Sequence, residues 1–254
     1  MSLIVCSVYF IYRSIDRVRD LPEITKSGRI VVVTDSSNMG FALKNDSVFG
    51  FQYEIIKIFT ESLGVELQIS QQNDLNEALT GLRHGEFDIV ASLTPQTSTT
   101  SGGVLFSKPI MSSRLMLVQP RIPDSLPGML KKQYELAGDS IYIPSNPAYR
   151  KRLLNLCDEI GDTIFIFEVK KQTTEMLIRL VAAGKIPYTV CPEELAPKYL
   201  RMYPQLDISM PLGFTQNYGW MVNEKSTALK QKLNSFLSDF IGSSRYWALY
   251  HKYY

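Results

Sequence analysis

Residues 88–107 begin as a largely apolar stretch and continue as a run of hydroxyl side chains that contains no charged residue. The stretch reads DIVASLTPQTSTTSGGVLFS, and Thr94, Thr97 and Thr100 recur in it at intervals of three residues. Hydroxyl groups both donate and accept hydrogen bonds, so such residues at a strand end could bind the polar groups of a small ligand. They could equally be turn hydroxyls that bond to their own backbone.

Residues that could catalyse a reaction or hold a metal are sparse. His84 and His251 lie far apart, and Cys6, Cys157 and Cys191 show no metal-binding spacing. The sequence has no nucleophile elbow and no phosphate loop. We therefore expect no catalytic residues, no metal and no cofactor. Cys157 and Cys191 could pair in an oxidising compartment or remain two separate thiols.

Composition and charge narrow the class of protein. The 254 residues are 45% hydrophobic and 20% charged, which is typical of a soluble globular body with one large domain or two lobes. The net charge of +2, without a basic run interleaved with aromatic residues, argues against nucleic acid as a partner.

The first half of the chain alternates strand and helix patterns. Phe51, Ile55, Phe59 and Leu63 share one helical face, and Asp74 is placed to cap a second helix with Glu77 completing a capping box. The alternation predicts a parallel sheet covered by helices. The predicted elements are a strand at 28–35, a helix at 51–63, a strand at 65–70, a helix at 75–84 and a strand at 86–92.

The second half repeats the alternation after a proline-marked boundary at 120–128. Asn146 before Pro147 is typical of a helix start. A late strand then returns the chain to the first unit, and two amphipathic helices end it. The predicted elements are strands at 114–119, 140–144, 163–169, 186–191 and 218–223, and helices at 147–156, 173–184, 226–242 and 243–254.

The order of these elements carries a family resemblance. The matching stretches are SGRIVVVT, FGFQYEIIKIFTESLGVELQI, LRHGEFDIVASL, LFSKPI, AAGKIPYTV and LNSFLSDFIGSSRYWALYHKYY. From about Leu21 to Tyr254 the chain resembles the bacterial extracellular solute-binding proteins of family 3. Within that family it is most similar to the binding-protein-like domain of membrane-bound lytic murein transglycosylase F.

The resemblance implies an α/β fold of two lobes, the type II periplasmic-binding-protein architecture. Each lobe would be a mostly parallel sheet flanked by helices, with two crossing strands and a ligand cleft between the lobes. It implies lobe I at 21–118 plus 213–254 and lobe II at 119–212.

Residues 1–20 contain the apolar run LIVCSVYFIY, which is too short to span a bilayer. We interpret them as a truncated signal-like or anchor-like segment. An ordinary first helix packed on the body is the alternative.

Two charged anchors of the family are missing from the matching positions. In the family, a hydroxyl residue followed three positions later by an arginine holds the ligand's α-carboxylate, and an aspartate at a strand end in the second lobe holds the α-amino group. Here the three positions are Thr97, Thr100 and Pro192. One hydrogen bond to a charged group contributes about 1.5–3 kcal/mol, so a conventional amino-acid site would be weakened.

Several residues could replace these anchors. Glu193 could bind an amine or favour a helix dipole, Arg114 could offer a cation or form a surface ion pair, and Asn146 could serve the ligand or only its helix. Phe41 could stack on a ligand or belong to the core. The predicted ligand-binding residues are Ser36, Asn38, Met39, Phe41, Ser92, Thr94, Thr97, Thr100, Arg114, Asn146 and Glu193.

The resemblance implies a non-catalytic module of the periplasm or cell envelope, anchored to the membrane only through its N-terminus. It would bind a small polar ligand, an amino acid or a muropeptide, and serve a lytic transglycosylase domain C-terminal to it. One alternative is a free-standing receptor of an amino-acid ABC transporter, whose partner would be a permease. The other is a structural docking module with a degenerate cleft.

Overall fold

A six-stranded sheet forms the first of two bodies in the computed structural model, which describes residues 18–44, 47–97, 102–123 and 128–254. Strand Arg29–Thr34 pairs in parallel with Glu66–Gln71 on one side and with Ile89–Pro95 on the other. Strand Gln216–Asn223 runs antiparallel between Ile89–Pro95 and Val104–Phe106 and also pairs with Met111–Ser113. The first part of the chain contains α1 (Leu21–Ser27), β1 (Arg29–Thr34), β2 (Ala42–Lys44), β3 (Ser47–Phe49), α2 (Phe51–Leu63), β4 (Glu66–Gln71), α3 (Leu75–His84), β5 (Ile89–Pro95), β6 (Val104–Phe106) and β7 (Met111–Ser113). The last part returns to this body as β13 (Gln216–Asn223), α7 (Thr227–Phe240) and α8 (Ser244–Tyr253).

The second body carries its own buried clusters. In it, Ser140–Pro144 pairs in parallel with Phe165–Val169, and Leu115–Pro120 pairs antiparallel with Thr189–Pro192 and with Leu206–Asp207. Its elements are β8 (Leu115–Pro120), β9 (Ser140–Pro144), α4 (Pro147–Ile160), β10 (Phe165–Val169), α5 (Thr174–Ala182), β11 (Thr189–Pro192), α6 (Ala196–Met202) and β12 (Leu206–Asp207). Because all of β8 pairs inside this body, we propose that the chain crosses between the lobes before Leu115.

Helix limits in the structure follow the sequence signals. Helix α2 spans Phe51–Leu63 as predicted, and Asn146 caps α4 by accepting hydrogen bonds from the backbone N–H groups of Ala148 and Tyr149. Asp74 caps α3. Glu77 was predicted to complete a capping box, but its carboxylate instead accepts a hydrogen bond from Gln72 at 2.6 Å.

The predicted anchor-like segment at 1–20 lies almost wholly outside the described residues. Within the described part of the chain, no helix is both long and apolar enough to cross a membrane. There, Cys157 and Cys191 are free thiols, and burial raises the pKa of Cys191.

An ion pair between Arg19 and Asp88 fixes the start of the described chain to the first sheet. The Asp88 side chain is 2% exposed, accepts a hydrogen bond from Val31 N at 2.7 Å and is paired with the guanidinium of Arg19. Burial raises the pKa of Asp88, while the bonds from Val31 and Arg19 lower it. The aspartate therefore depends on these two partners to remain charged.

We expect Arg19→Ala to lower the free energy of unfolding by about 3 kcal/mol at neutral pH, because a buried carboxylate loses its partner. A raised folded-state pKa costs stability as the pH rises above the unfolded value, so the loss should shrink at acidic pH, where Asp88 is protonated in both states. Urea denaturation at neutral and at acidic pH measures this loss of stability. Arg121→Ala, at an exposed position, is the control and should change stability by less than about 0.5 kcal/mol.

Candidate functional site

A cavity lies between the two bodies, where strands end and helices begin. Asp35 follows β1, Pro192 ends β11, and Asn146 and Thr173 cap α4 and α5; all four line the cavity. Strand ends and helix N-termini of α/β folds are common ligand sites. The cavity encloses about 110 Å³, whereas a single water needs about 10–15 Å³, so it has room for a small molecule.

Hydrogen bonds join the two bodies around this cavity. Asn38 donates to both carboxylate oxygens of Glu175 at 3.0 and 3.2 Å. Ser145 accepts from Leu75 N at 3.1 Å through its carbonyl and from the Asn76 side chain at 3.0 Å through its hydroxyl. The lobes are therefore closed against each other in this structure.

Four of the predicted ligand-binding residues line the cavity. Met39, Ser92, Thr94 and Asn146 all face it. Thr94 is fully buried, and its hydroxyl oxygen has no hydrogen-bond partner. Asn146 lines the cavity with its side-chain oxygen already occupied as the cap of α4.

Other predicted residues make contacts elsewhere and do not line the cavity. Ser36 donates from its backbone and its hydroxyl to the Asn73 side chain at 2.8 and 2.9 Å. Phe41 packs edge-on against Tyr53, with ring centroids 5.2 Å apart. Thr97 also lies outside the cavity wall, and Thr100 lies outside the described residues.

The predicted charged substitutes bind each other. Arg114 Nε and Nη2 donate to the two Glu193 oxygens at 2.8 and 2.5 Å, and both side chains are about 40% exposed. Hydrogen bonding to Glu193 raises the pKa of Arg114. Neither residue lines the cavity, so the expectation that Arg114 or Glu193 supplies a charge to the cleft is replaced by a bidentate ion pair outside it.

Two carboxylates that sequence reasoning missed do line the cavity. Asp35 stands one residue beyond β1, and burial raises its pKa although Ser37 and Ser92 donate hydrogen bonds that lower it. Its Oδ1 atom is buried without a partner. Glu175, in the first turn of α5, is bound by Asn38 and by Arg179 at 2.8 Å.

Aromatic side chains form much of the remaining wall. Tyr149, Tyr199, Tyr218 and Tyr254 line the cavity, and burial raises the pKa of each, so all four stay neutral at physiological pH. No sequence pattern singled them out, because each belongs to a different element and the set exists only in three dimensions. Gln52 also lines the cavity, and its carbonyl accepts from Trp220 at 2.5 Å.

The chain also matches a known protein family along most of its length. The model of the bacterial extracellular solute-binding proteins, family 3, matches residues 29–254. The chain belongs to this family. Proteins of this family are solute-binding proteins, so the chain is a binding module.

Among curated proteins, the family-3 chain is similar to several named membrane-bound lytic murein transglycosylase F, including one from Desulfosudis oleivorans and one from Idiomarina loihiensis. The one from Desulfosudis oleivorans is 25% identical over 237 residues, which cover 93% of this chain and 51% of that protein. The one from Idiomarina loihiensis is 26% identical over 206 residues, which cover 79% and 44%. The chain thus spans about half the length of the curated relatives it matches.

Solved structures confirm the predicted two-lobe, type II periplasmic-binding-protein fold. A mutant of the arginine-binding protein of T. maritima superposes with a TM-score of 0.76 at 21% identity, covering 92% of this chain and 98% of that one. An ancestral arginine-binding protein bound to arginine gives 0.76 at 20% identity, covering 89% and 98%. At such identities the likeness establishes the fold alone.

Proposed function

We propose that this family-3 domain is a ligand-binding module of the cell envelope that closes its two lobes on a small polar molecule, an amino-acid-like compound or a peptidoglycan fragment. It informs or positions a lytic murein transglycosylase domain of the same protein. The similarity to transglycosylase F along 93% of the chain supports the second part. The extracellular family and the membrane-bound relatives support a periplasmic location, with an N-terminal anchor.

The observation that carries the binding role is a set of buried polar atoms without partners in the cavity wall. Thr94 Oγ1, Gln52 Nε2 and Asp35 Oδ1 are buried and make no hydrogen bond. Leaving such a group unpaired costs about 1–3 kcal/mol, and native proteins rarely keep several together unless water or a ligand satisfies them. A cleft that had lost its ligand would be expected to replace these groups with apolar ones.

The unfilled cavity also bears on the docking-module alternative. That alternative predicts a cleft plugged by side chains such as Met39 or Phe41. Met39 lines the cavity without filling it, and Phe41 packs on Tyr53 instead. A free-standing amino-acid receptor remains the second candidate, favoured by the fold shared with proteins solved with bound arginine. It is disfavoured by Pro192, which lines the cavity where the family resemblance places an aspartate.

The test is calorimetric titration of the domain with disaccharide muropeptides, stem peptides and free amino acids. We expect heat and saturation with at least one class, and no heat from any would overturn the binding role. Tight binding of a free amino acid, with no muropeptide response, would favour the transporter receptor.

A pair of valine variants shows whether the unpaired hydroxyl serves the ligand. Thr94→Val removes a buried hydroxyl that has no partner, so we expect the unliganded domain to gain about 1 kcal/mol while affinity for the active ligand falls. Thr189→Val is the control: Thr189 is equally buried, but its hydroxyl donates to Tyr142 O at 2.7 Å. It should lose about 1 kcal/mol and leave affinity unchanged. Equal destabilisation by both variants would contradict a ligand role for Thr94.

A further inference from the structure

We propose that the group seated in the cavity is a small organic cation, an ammonium or guanidinium, with no carboxylate beside it. This inference rests on the proposed binding function of the cavity and assigns a different class of ligand to it. It departs from the amino-acid ligands that the family resemblance implies, because those carry both charges.

Charge in the cavity wall is of one sign. Asp35 and Glu175 line the cavity, and among the described lining residues there is no lysine and no arginine. Arg179 offsets part of the charge of Glu175, but its side chain is 57% exposed. Among the described residues Asp35 has no cationic partner; the hydroxyls of Ser37 and Ser92 and its own backbone N–H bond to it.

Asp35 is therefore the group that would bind the cation. Its Oδ1 atom is buried and unpaired, and burial of the carboxyl raises its pKa. A buried carboxylate is stabilised by a nearby positive charge, and a bound ammonium or guanidinium would supply both that charge and an N–H donor.

A ligand carboxylate has no cationic side chain to pair with in the described cavity wall. The Arg114 guanidinium is held by Glu193, outside the wall. The N-terminus of α4 is closed to an anion, because Pro147 has no N–H and Asn146 already accepts from Ala148 N and Tyr149 N. A carboxylate placed here would face the two acidic side chains without compensation.

Two further buried groups define the rest of the ligand. Gln52 is 1% exposed, and because its carbonyl accepts from Trp220, its unpaired atom is the amide nitrogen, a neutral donor. Thr94 adds a hydroxyl without a partner. These suit a hydroxyl, carbonyl or similar uncharged acceptor.

The aromatic wall favours the same charge. Tyr149, Tyr199 and Tyr218 are at most 4% exposed and line the cavity together with Tyr254. Neutral aromatic rings attract ammonium and guanidinium groups through their faces, most strongly where water is excluded. Carboxylates combined with tyrosines thus form a wall suited to an organic cation.

The test compares ligands that differ only in the carboxylate. Calorimetric titrations of the same domain would pair L-arginine with agmatine and L-lysine with cadaverine. We expect each decarboxylated amine to bind about tenfold more tightly than its amino acid, or better. Tighter binding of the amino acids would overturn the inference.

An aspartate variant tests the assigned partner. Asp35→Asn keeps the shape of the side chain and removes its charge, so the affinity for agmatine or cadaverine should fall by about ten- to hundredfold. Asp139→Asn, a partly buried aspartate outside the cavity wall, is the matched control and should leave the affinity unchanged. Equal affinity in the Asp35 variant would remove Asp35 from the site.

The outcomes separate this inference from the function it rests on. If muropeptides or amino acids bind and neither amine does, the binding module stands and the cationic ligand is wrong. If none of the probes in either panel binds, the binding role itself fails.

Discussion

Replacing Trp220 with alanine is expected to lower the free energy of unfolding by about 4 kcal/mol. Trp220 is fully buried in β13, in the same cluster as Phe51, Ile55 and Leu233. Truncating a buried tryptophan costs about 3–5 kcal/mol through lost contacts and the cavity left behind. The indole N–H also donates to Gln52, so the variant leaves one more buried carbonyl without a partner.

Chemical denaturation measures this loss of stability. Two further variants serve as controls for its cause. Trp247→Ala removes a tryptophan that is 46% exposed on α8 and should cost less than about 1 kcal/mol. Trp220→Phe restores most of the packing but not the N–H donor, so it separates the two contributions. A similar loss at both tryptophans would show that the β13 core is not the main source of stability.

The Trp220–Gln52 bond also links the core to the cavity. Gln52 lies in the first turn of α2, with its carbonyl held by the indole and its amide nitrogen unpaired at the cavity wall. Without the indole, the amide is free to rotate and exchange its donor and acceptor. Trp220→Phe should therefore weaken ligand binding more than its stability loss alone would suggest.

The fold was largely predictable because local and long-range signals agree. Helix α2 has an apolar residue at every fourth position and glycines at both flanks, and α4 has the Asn146–Pro147 start. Such signals depend only on neighbours within a turn. Strand pairing, in contrast, depends on residues far apart in sequence. The antiparallel partners of β8 were not predicted, because nothing near residues 114–119 specifies β11 and β12.

The site was only partly predictable. Met39, Ser92 and Thr94 follow from their places near strand ends. Asp35 stood beside them, at the end of the predicted strand 28–35, and the position of a lone acid beyond a buried strand was a signal that could have found it. Glu175 was hidden because an acidic residue in a first helical turn already has a local explanation.

Arg114 and Glu193, the predicted charged substitutes, lie outside the cavity wall for a different reason. Arg114 and Glu193 are 79 residues apart in sequence, so no local pattern reveals that they bind each other. The antiparallel pairing of β8 and β11 matches Leu115 with Pro192 and brings the two charges together just beyond that pair. Their closeness in sequence to predicted cleft residues therefore did not place Arg114 and Glu193 in the cavity wall.

A substitution at Gly50, the residue that precedes α2, is also expected to lower stability strongly. Its φ is +151°, and a Cβ atom there would lie 2.0 Å from the carbonyl oxygen of Gly40. That oxygen accepts a hydrogen bond from Tyr53 N, and the neighbouring Met39 O accepts from Gln52 N at 2.8 Å. Gly50 is therefore packed against the loop that carries Met39 into the cavity.

Gly50→Ala should lower the free energy of unfolding by about 3 kcal/mol, because a strained backbone and an overlap with a main-chain oxygen must both be relieved. Moving the Gly40 loop would also shift Asp35, whose carbonyl accepts from Phe41 N at 2.9 Å, so affinity for the ligand should fall as well. Gly64→Ala is the matched control. Gly64 has a φ of +67° with nothing within 4 Å of an added Cβ, so only the left-handed backbone is penalised, by about 1 kcal/mol, and affinity should hold. Equal losses at both glycines would mean that the contact between Gly50 and Gly40 does not position the loop.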